Sequence, residues 1–345
     1  MLLVPELFPP DFAGGGEYVA GQIALNLHRR GHGVTVLTTG DPNVTHYEGI
    51  QTVRLPGSRF RLSFAKDRLM QMAANVDIIH AFTYHGLYPS TQVGRALGKP
   101  VVCGVLALFG DVWQQMHGPL GGRLRQFYER LVLRQHFAAK LHLSGFSQAL
   151  AKDIGVDCPG DQVVVPGISQ GQYRQSDKRS YILFTAKLDL RKGYGLVLEA
   201  ARRLPDIPFR IITWGDDFDK VAALAPANVL MERRSDDRNQ YLDALAGARV
   251  FLFPTKVETF GLVLPEAMAS GCSIISTSPL PFEGVRVGQD DADGVCAAVR
   301  SLWDNPALCA WHGEANRQIA AQYDWHRHVA TLEEIYGRLL DAPKH

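Results

Sequence analysis

Two glutamates, Glu258 and Glu266, stand eight residues apart in the segment VFLFPTKVETFGLVLPEAMASGCSIIS. The segment reads as a short apolar strand ending at Pro254 and a polar loop carrying Glu258. A helix then starts near Gly261, tolerates Pro265 in its first turn and stops at Gly271. This layout puts one carboxylate in the loop before the helix and the other near its second turn. Both lie close to the carboxyl edge of a sheet, where open α/β folds bind ligands. Carboxylates so placed can grip sugar and ribose hydroxyls. The plainer alternative is that both acids only complement the positive helix N-terminus, worth roughly 0.3 to 1 kcal/mol each.

The elements that must carry such a site alternate along the whole chain. The start runs from the strand LLVPE through the glycine-rich turn Gly14 to Gly16 into the amphipathic stretch EYVAGQIALNLHRR, a stop at Gly31 to Gly33, and the strand VTVLTT, which is a βαβ unit. Strand signals follow at IQTVRLP, VDIIHAF, PVVCGVLA, KLHLSG and VVVPG. Parallel pairing with right-handed crossovers is expected. The polar stretch Gln170 to Arg179 has no apolar periodicity and reads as a linker. A second α/β series begins at YILFTAKL and continues through FRIITWG, NVLME, YLDALAG, VFLFP and CSIISTS, and the tail carries apolar positions at helical spacing from Val329 to Leu339. The glycine turn lets a backbone approach closely, and the helix after it points its positive end at an anion. On its own such a turn often only connects strand to helix.

Composition bounds what the site serves. A chain of 345 residues, 46% apolar and 21% charged, suits two ordinary globular domains. A formal charge of +1 argues against a nucleic-acid binder that neutralises many phosphates. The five cysteines, Cys103, Cys158, Cys272, Cys296 and Cys309, show no Cys-x-x-Cys spacing, so a reducing cytoplasm is the expected location. The opening MLLVPELFPPDF does not read as a signal peptide, and no apolar run approaches the roughly 20 residues that span a bilayer. Two basic sets, Arg59, Arg61, Lys66 and Arg68, then Arg123, Arg125, Arg130 and Arg134, could meet anionic headgroups at the inner membrane face. Solvated helix faces are the simpler reading.

Taken as a whole, E-TFGLVLP-E followed by A-x-A-S-G resembles the Glu-x7-Glu signature of the retaining glycosyltransferases of family 4. The resemblance covers nearly the whole chain and implies the GT-B fold, two Rossmann-like domains with parallel sheets facing a central cleft. It implies that Glu258 contacts the donor hexose, that Glu266 contacts the ribose, and that the backbone of Phe260, Gly261 and Leu262 approaches sugar and diphosphate. FTAKLDLRKGYG resembles the family's Gly-Arg-Leu and Lys-Gly pair, with Lys187 in place of the arginine and Lys192 at the lysine. Cations suit that place because the departing nucleoside diphosphate gains negative charge in the transition state. A solvated basic loop is the expectation for Arg191 alone. The resemblance further places Gly15 and Gly16 against the donor phosphates and His80 on the acceptor side, although a lone histidine at a strand end is as often structural.

The chain departs from the family pattern in three places. After PVVCGV it reads LALFGDVW, with Leu106, Leu108 or Phe109 where the family has a Thr-x-His-Gly type segment; His117 could substitute from a loop, with no spacing argument behind it. Arg233 and Arg234 replace a glycine-containing turn, and Trp214 precedes Gly215 where a small or aliphatic residue is usual. The expected domains are 1–168 with 324–345 for the acceptor and 178–323 for the donor. The expected function is retaining, metal-independent transfer of a hexosyl unit from a nucleoside diphosphate sugar, UDP- or GDP-linked, to a hydroxyl of a glycan, lipid or small molecule, as in polysaccharide or glycolipid synthesis. That reaction needs no cofactor. Two rivals are a non-catalytic sugar-nucleotide binder, left open by the missing histidine, and a Rossmann-type oxidoreductase. The second lacks a Gly-x-Gly-x-x-Gly turn with an acid about 20 residues on.

Overall fold

Apolar runs too short and too uniformly hydrophobic for amphipathic helices become strands covered on both faces, and the 3.6-period stretches between them become the covering helices. The computed structural model describes residues 1–11, 14–176, 179–235 and 237–342 and resolves into two units, Met1–Gly167 with Trp325–His345, and Ile168–Asp324.

The first unit holds β1 (Leu2–Val4), β2 (Thr35–Thr39), β3 (His46–Tyr47), β4 (Ile50–Leu55), β5 (Ile79–Phe82), β6 (Val101–Val105), β7 (Ala139–His142) and β8 (Asp161–Val163). Their spatial order is β3-β4-β2-β1-β5-β6-β7-β8, and among the described pairs only β3–β4 is antiparallel. The helices between them are α1 (Gly15–Arg29), α2 (Lys66–Ala73), α3 (Leu87–Leu97), α4 (Val112–Leu133) and α5 (Gly145–Asp153), with a 3-10 helix at Arg59–Phe64. Leu2, Val4, Ile79, Ala81, Cys103 and Val105 form the centre of its core. Each large apolar side chain so buried contributes about 1.5–3 kcal/mol.

The second unit repeats the plan with β9 (Tyr181–Lys187), β10 (Phe209–Trp214), β11 (Val229–Arg233), β12 (Ala248–Phe253), β13 (Ser273–Ser276) and β14 (Gly284–Arg286), in the order β11-β10-β9-β12-β13-β14, all parallel. Its helices are α6 (Tyr194–Arg203), α7 (Phe218–Ala223), α8 (Arg238–Gly247), α9 (Val263–Ala269), α10 (Ala292–Trp303) and α11 (Pro306–Ala320). The chain then returns to the first unit as α12 (Trp325–Asp341), packed on α1. No helix among the described residues is long and apolar enough to cross a membrane.

In each sheet the first strand of the unit lies inside, with the chain winding outwards on either side of it. The gap beside that strand, between β1 and β5 and between β9 and β12, is the topological switch point where the connecting helices change face and leave a crevice. At the second switch point the two sides of β9 differ in the extent of their pairing. β9 pairs with β10 as far as Trp214↔Lys187, whereas its pairing with β12 ends at Phe251↔Leu183.

The stretch read as a linker is packed into the second unit. Gln170 donates to the Ala320 and Tyr323 carbonyls at 2.5 and 3.1 Å, and Arg179 donates to the Ala248 and Ser270 carbonyls. Gln170, Gly171, Gln172, Arg174 and Gln175 are exposed, so polar composition here serves solvent as well as these hydrogen bonds. Asp177 and Lys178, within that stretch, lie outside the described residues.

Candidate functional site

The switch point of the second unit brings together residues that are far apart in sequence. β9 ends at Lys187, which is exposed, and the chain continues into a 3-10 turn, Leu190–Lys192. Asp189 caps that turn by accepting the Arg191 N–H at 2.9 Å, and the Arg191 guanidinium folds back onto the same carboxylate, holding it below the usual carboxylate range. Arg191 is therefore not the solvated loop cation expected of it. Its carbonyl accepts from the Lys256 N–H at 2.7 Å and from the Thr255 hydroxyl at 3.3 Å. The loop after β9 is thus fastened to the loop after β12.

Gly193 closes the fastening. It has φ +73°, and a Cβ there would lie 2.1 Å from the Pro254 carbonyl oxygen, so only glycine lets the two loops approach this closely. The result is an ion pair between Lys192 Nζ and the Glu258 carboxylate, both half-buried. Two of the groups expected to handle a sugar diphosphate thus meet at one point of the carboxyl edge.

Helix α9 follows Glu258 but begins at Val263, two residues later than expected near Gly261. Gly261 is left-handed, with φ +82°, and a Cβ there would lie 3.1 Å from the Phe253 ring, so this residue turns the chain before the helix can start. Phe260 points its buried side chain at Tyr323, with ring centroids 5.5 Å apart. Leu262 caps the helix, and Pro265 sits in its first turn, where a missing N–H costs nothing. At the far end the Gly271 N–H reaches the Met268 carbonyl and the Cys272 N–H reaches the Ala267 carbonyl, a Schellman stop that the glycine makes possible.

Glu266 is buried on α9 and accepts three hydrogen bonds, from Tyr241 Oη at 2.6 Å, Arg238 Nη2 at 2.6 Å and Tyr173 Oη at 3.0 Å. Arg238 and Tyr241 stand on α8, whose N-terminus Asp237 caps. Burial and the neighbouring carboxylate push the Tyr241 hydroxyl well up, so it stays a donor at any ordinary pH. Sequence reasoning missed all three partners. Arg238 and Tyr241 are three apart and so share a helix face, which was legible; that the face turns towards α9 is a tertiary fact. Further along the same edge, Arg234 lies over the Trp214 ring at 4.8 Å and Arg233 over Phe218 at 4.1 Å.

In the first unit, Gly15 and Gly16 open helix α1 as expected, and Ala13 of the glycine turn lies outside the described residues. The Gly14 N–H is already taken by the Glu17 carboxylate at 2.8 Å. A Cβ on Gly16 would lie 3.6 Å from the Leu106 side chain, so one of the three residues offered in place of a histidine packs beside the glycine turn. Leu108 is buried, and the Phe109 and Gly110 N–H groups bind the Glu129 carboxylate at 3.0 and 2.9 Å. His117 is on α4 rather than in a loop and stacks on Trp113.

His80 corrects an expectation. It is buried on β5, stacked on Phe82, with Nδ1 2.7 Å from the Tyr336 hydroxyl of α12, and it lines a small apolar pocket with His328. Burial drives its pKa down to about 3, so the ring is neutral. A side chain sealed beneath α12 does not face an acceptor. Its strand-end position left both roles open, and only the return of α12 decides between them.

Comparison with known proteins finds glycosyltransferases for both units. The family model for Glycosyltransferase Family 4 matches residues 13–166, and that for Glycosyl transferases group 1 matches residues 179–305. The phosphatidyl-myo-inositol mannosyltransferase of Mycolicibacterium smegmatis is 26% identical, over 96% of this chain and 92% of its own. Among solved structures, sucrose-phosphate synthase from Thermosynechococcus elongatus matches with a TM-score of 0.83 at 18% identity, covering 99% of both chains. HepE from Anabaena, solved in complex with UDP and glucose, matches with a TM-score of 0.78 at 16% identity, over 98% of this chain and 100% of its own.

Proposed function

The chain belongs to the family 4 glycosyltransferases, and from that premise we propose that it moves a hexosyl unit from a nucleoside diphosphate sugar to an acceptor hydroxyl, with retention of anomeric configuration and without a divalent metal. The observation that carries the proposal is the meeting of Lys192 with Glu258 at the β9–β12 switch point, fastened by Gly193 against Pro254. In this reading Lys187 and Lys192 hold the diphosphate as its charge grows, through charge-assisted bonds of about 1.5 to 3 kcal/mol each. Glu258 orients the sugar hydroxyls and keeps the Lys192 ammonium aimed while the site is empty. Backbone amides around Gly261 and Leu262 add dipoles at the start of α9, and Glu266 receives the ribose within the Arg238, Tyr241 and Tyr173 cluster. Lysine supplies a point charge rather than a fork, so phosphate contacts at Lys187 differ from those an arginine would make.

UDP or GDP is the expected carrier, and the UDP bound in HepE supports the first of these. The mannosyltransferase relative, named for a phosphatidyl-inositol, favours a glycoconjugate or glycolipid acceptor. A non-catalytic nucleotide-sugar binder is the second reading, and the presence of Leu106 beside the glycine turn is what favours it.

A thermal-shift screen of nucleotide sugars finds the donor, since a ligand at 100 times its Kd adds about 2.7 kcal/mol. With that donor, mass spectrometry should detect glycosylated acceptor, and binding without product would favour the second reading. Lys192→Ala should then lower kcat by about tenfold or more with an unchanged melting temperature, and full activity would remove Lys192 from the site. Chelator treatment should leave the rate intact, and a rate abolished by chelator and restored by a divalent ion would overturn the metal-free reading.

A further inference from the structure

The Glu266 carboxylate has little acceptor capacity left. A carboxylate offers about four lone-pair directions. Three are taken, by Tyr241 Oη on Oε2 at 2.6 Å and by Arg238 Nη2 and Tyr173 Oη on Oε1 at 2.6 and 3.0 Å. A ribose presents two neighbouring hydroxyls, each a donor. Two new donors do not fit on one free direction, so a resident partner has to leave when the ribose arrives.

The three partners are not held alike. Arg238 and Tyr241 stand on α8, which buries Leu242, Ala244 and Leu245 against the second unit. Arg238 also forms an ion pair with Glu266, which is stronger than a hydrogen bond from a neutral hydroxyl. Tyr173 instead follows a single 3-10 turn, Gln170–Gln172, in extended backbone, and its neighbours Gln172, Arg174 and Gln175 are exposed. The ion pair of Arg174 with Asp243 of α8 joins side chains that are 52 and 63% exposed, so it holds this stretch only weakly. The Tyr173 bond to Glu266 is the longest of the three, and the same hydroxyl accepts from Arg238 Nη2 at 3.1 Å. It thus stands between a guanidinium donor and a carboxylate acceptor, the two contacts that a sugar hydroxyl at this place would make.

We propose that Tyr173 is an internal surrogate for the ribose, an autoinhibitory contact that the arriving donor displaces, and that its displacement loosens residues 170–176 from α8. The inference rests on the reading of Glu266 as the residue that receives the ribose. The loosened stretch follows the boundary between the two units at Gly167 and Ile168. Occupancy of the donor site therefore sets how firmly that connection is fastened to the second unit.

Titration calorimetry of the full-length protein with UDP and with GDP, and amide hydrogen exchange with and without the nucleotide that binds, test this. Tyr173→Phe removes only the competing hydroxyl and should lower the Kd of that nucleotide by about threefold or more. A residue that merely braces the chain would leave the Kd unchanged or raise it. The 2′-deoxy form of the nucleotide brings one hydroxyl, which the free direction on Glu266 accepts, so the same substitution should change its Kd by about twofold at most. In the parent, exchange of the amides of residues 170–176 should quicken when nucleotide binds. A Kd for Tyr173→Phe equal to or above the parent's, an equal gain for the 2′-deoxy form, or exchange that quickens in α8 instead would overturn the proposal. Glu266→Gln separates it from the reading beneath it. Weakened nucleotide binding by Glu266→Gln, together with a parent-like Kd in Tyr173→Phe, overturns the surrogate alone. Undiminished binding by Glu266→Gln, or no binding of either nucleotide to the parent, overturns both.

Discussion

The Lys192–Glu258 pair depends on a residue with no side chain. Gly193 lets the loop after β9 rest on the Pro254 carbonyl, and any Cβ there meets that oxygen at 2.1 Å with φ already left-handed. Gly193→Ala must therefore push the two loops apart. Strain of about 1–3 kcal/mol should appear as lost stability in denaturant, and donor turnover should fall by about tenfold or more because a displacement of 1 Å misplaces the lysine. A variant with the parent's stability and turnover would show that the fastening does not position Lys192. Lys187, Lys192, Glu258 and Glu266, the residues proposed to carry the chemistry, could be named from the resemblance to the family's motifs. The Arg238, Tyr241 and Tyr173 partners of Glu266 could not, since nothing in YLDALAG or in a polar stretch after Gly167 announces that they converge on α9.

At the scale of elements, the central strands and α1, α6 and α12 were legible because each has a clean period and a glycine or proline boundary. Short edge strands such as β3 and β14 were not, because two or three residues carry no period, and α10 and α11 lie where the residue reading was silent. The packing of α12 on β5 was also beyond local signals, and it has a measurable consequence. His80 and His328 are buried neutral, with pKa values lowered to about 3 and about 4, and burial shifts His85 and His312 in the same direction. An unfolded histidine titrates near 6.5, so below that pH the unfolded chain binds protons that the folded one refuses. Stability should be fully present above about pH 6.5 and fall as the pH drops towards 4, by about 1.4 kcal/mol per pH unit for each fully buried ring. Urea midpoints at pH 7 and pH 5 check this. His328→Gln should make the midpoint less sensitive to pH, and a midpoint independent of pH would contradict the burial of these rings.

At the scale of the molecule, each unit builds a switch point from its first strand, and in the second unit Lys192 and Glu258 meet at one of them. The resemblance named these two residues, and strand order explains why they meet. Co-crystallisation with a nucleoside diphosphate sugar is the most direct test. The account predicts the diphosphate against Lys187 and Lys192 at the carboxyl ends of β9 and β12, with the ribose at Glu266 and the sugar at Glu258. A nucleotide bound at any other edge of the second unit, with Lys192 still paired to Glu258 and untouched by phosphate, would contradict it.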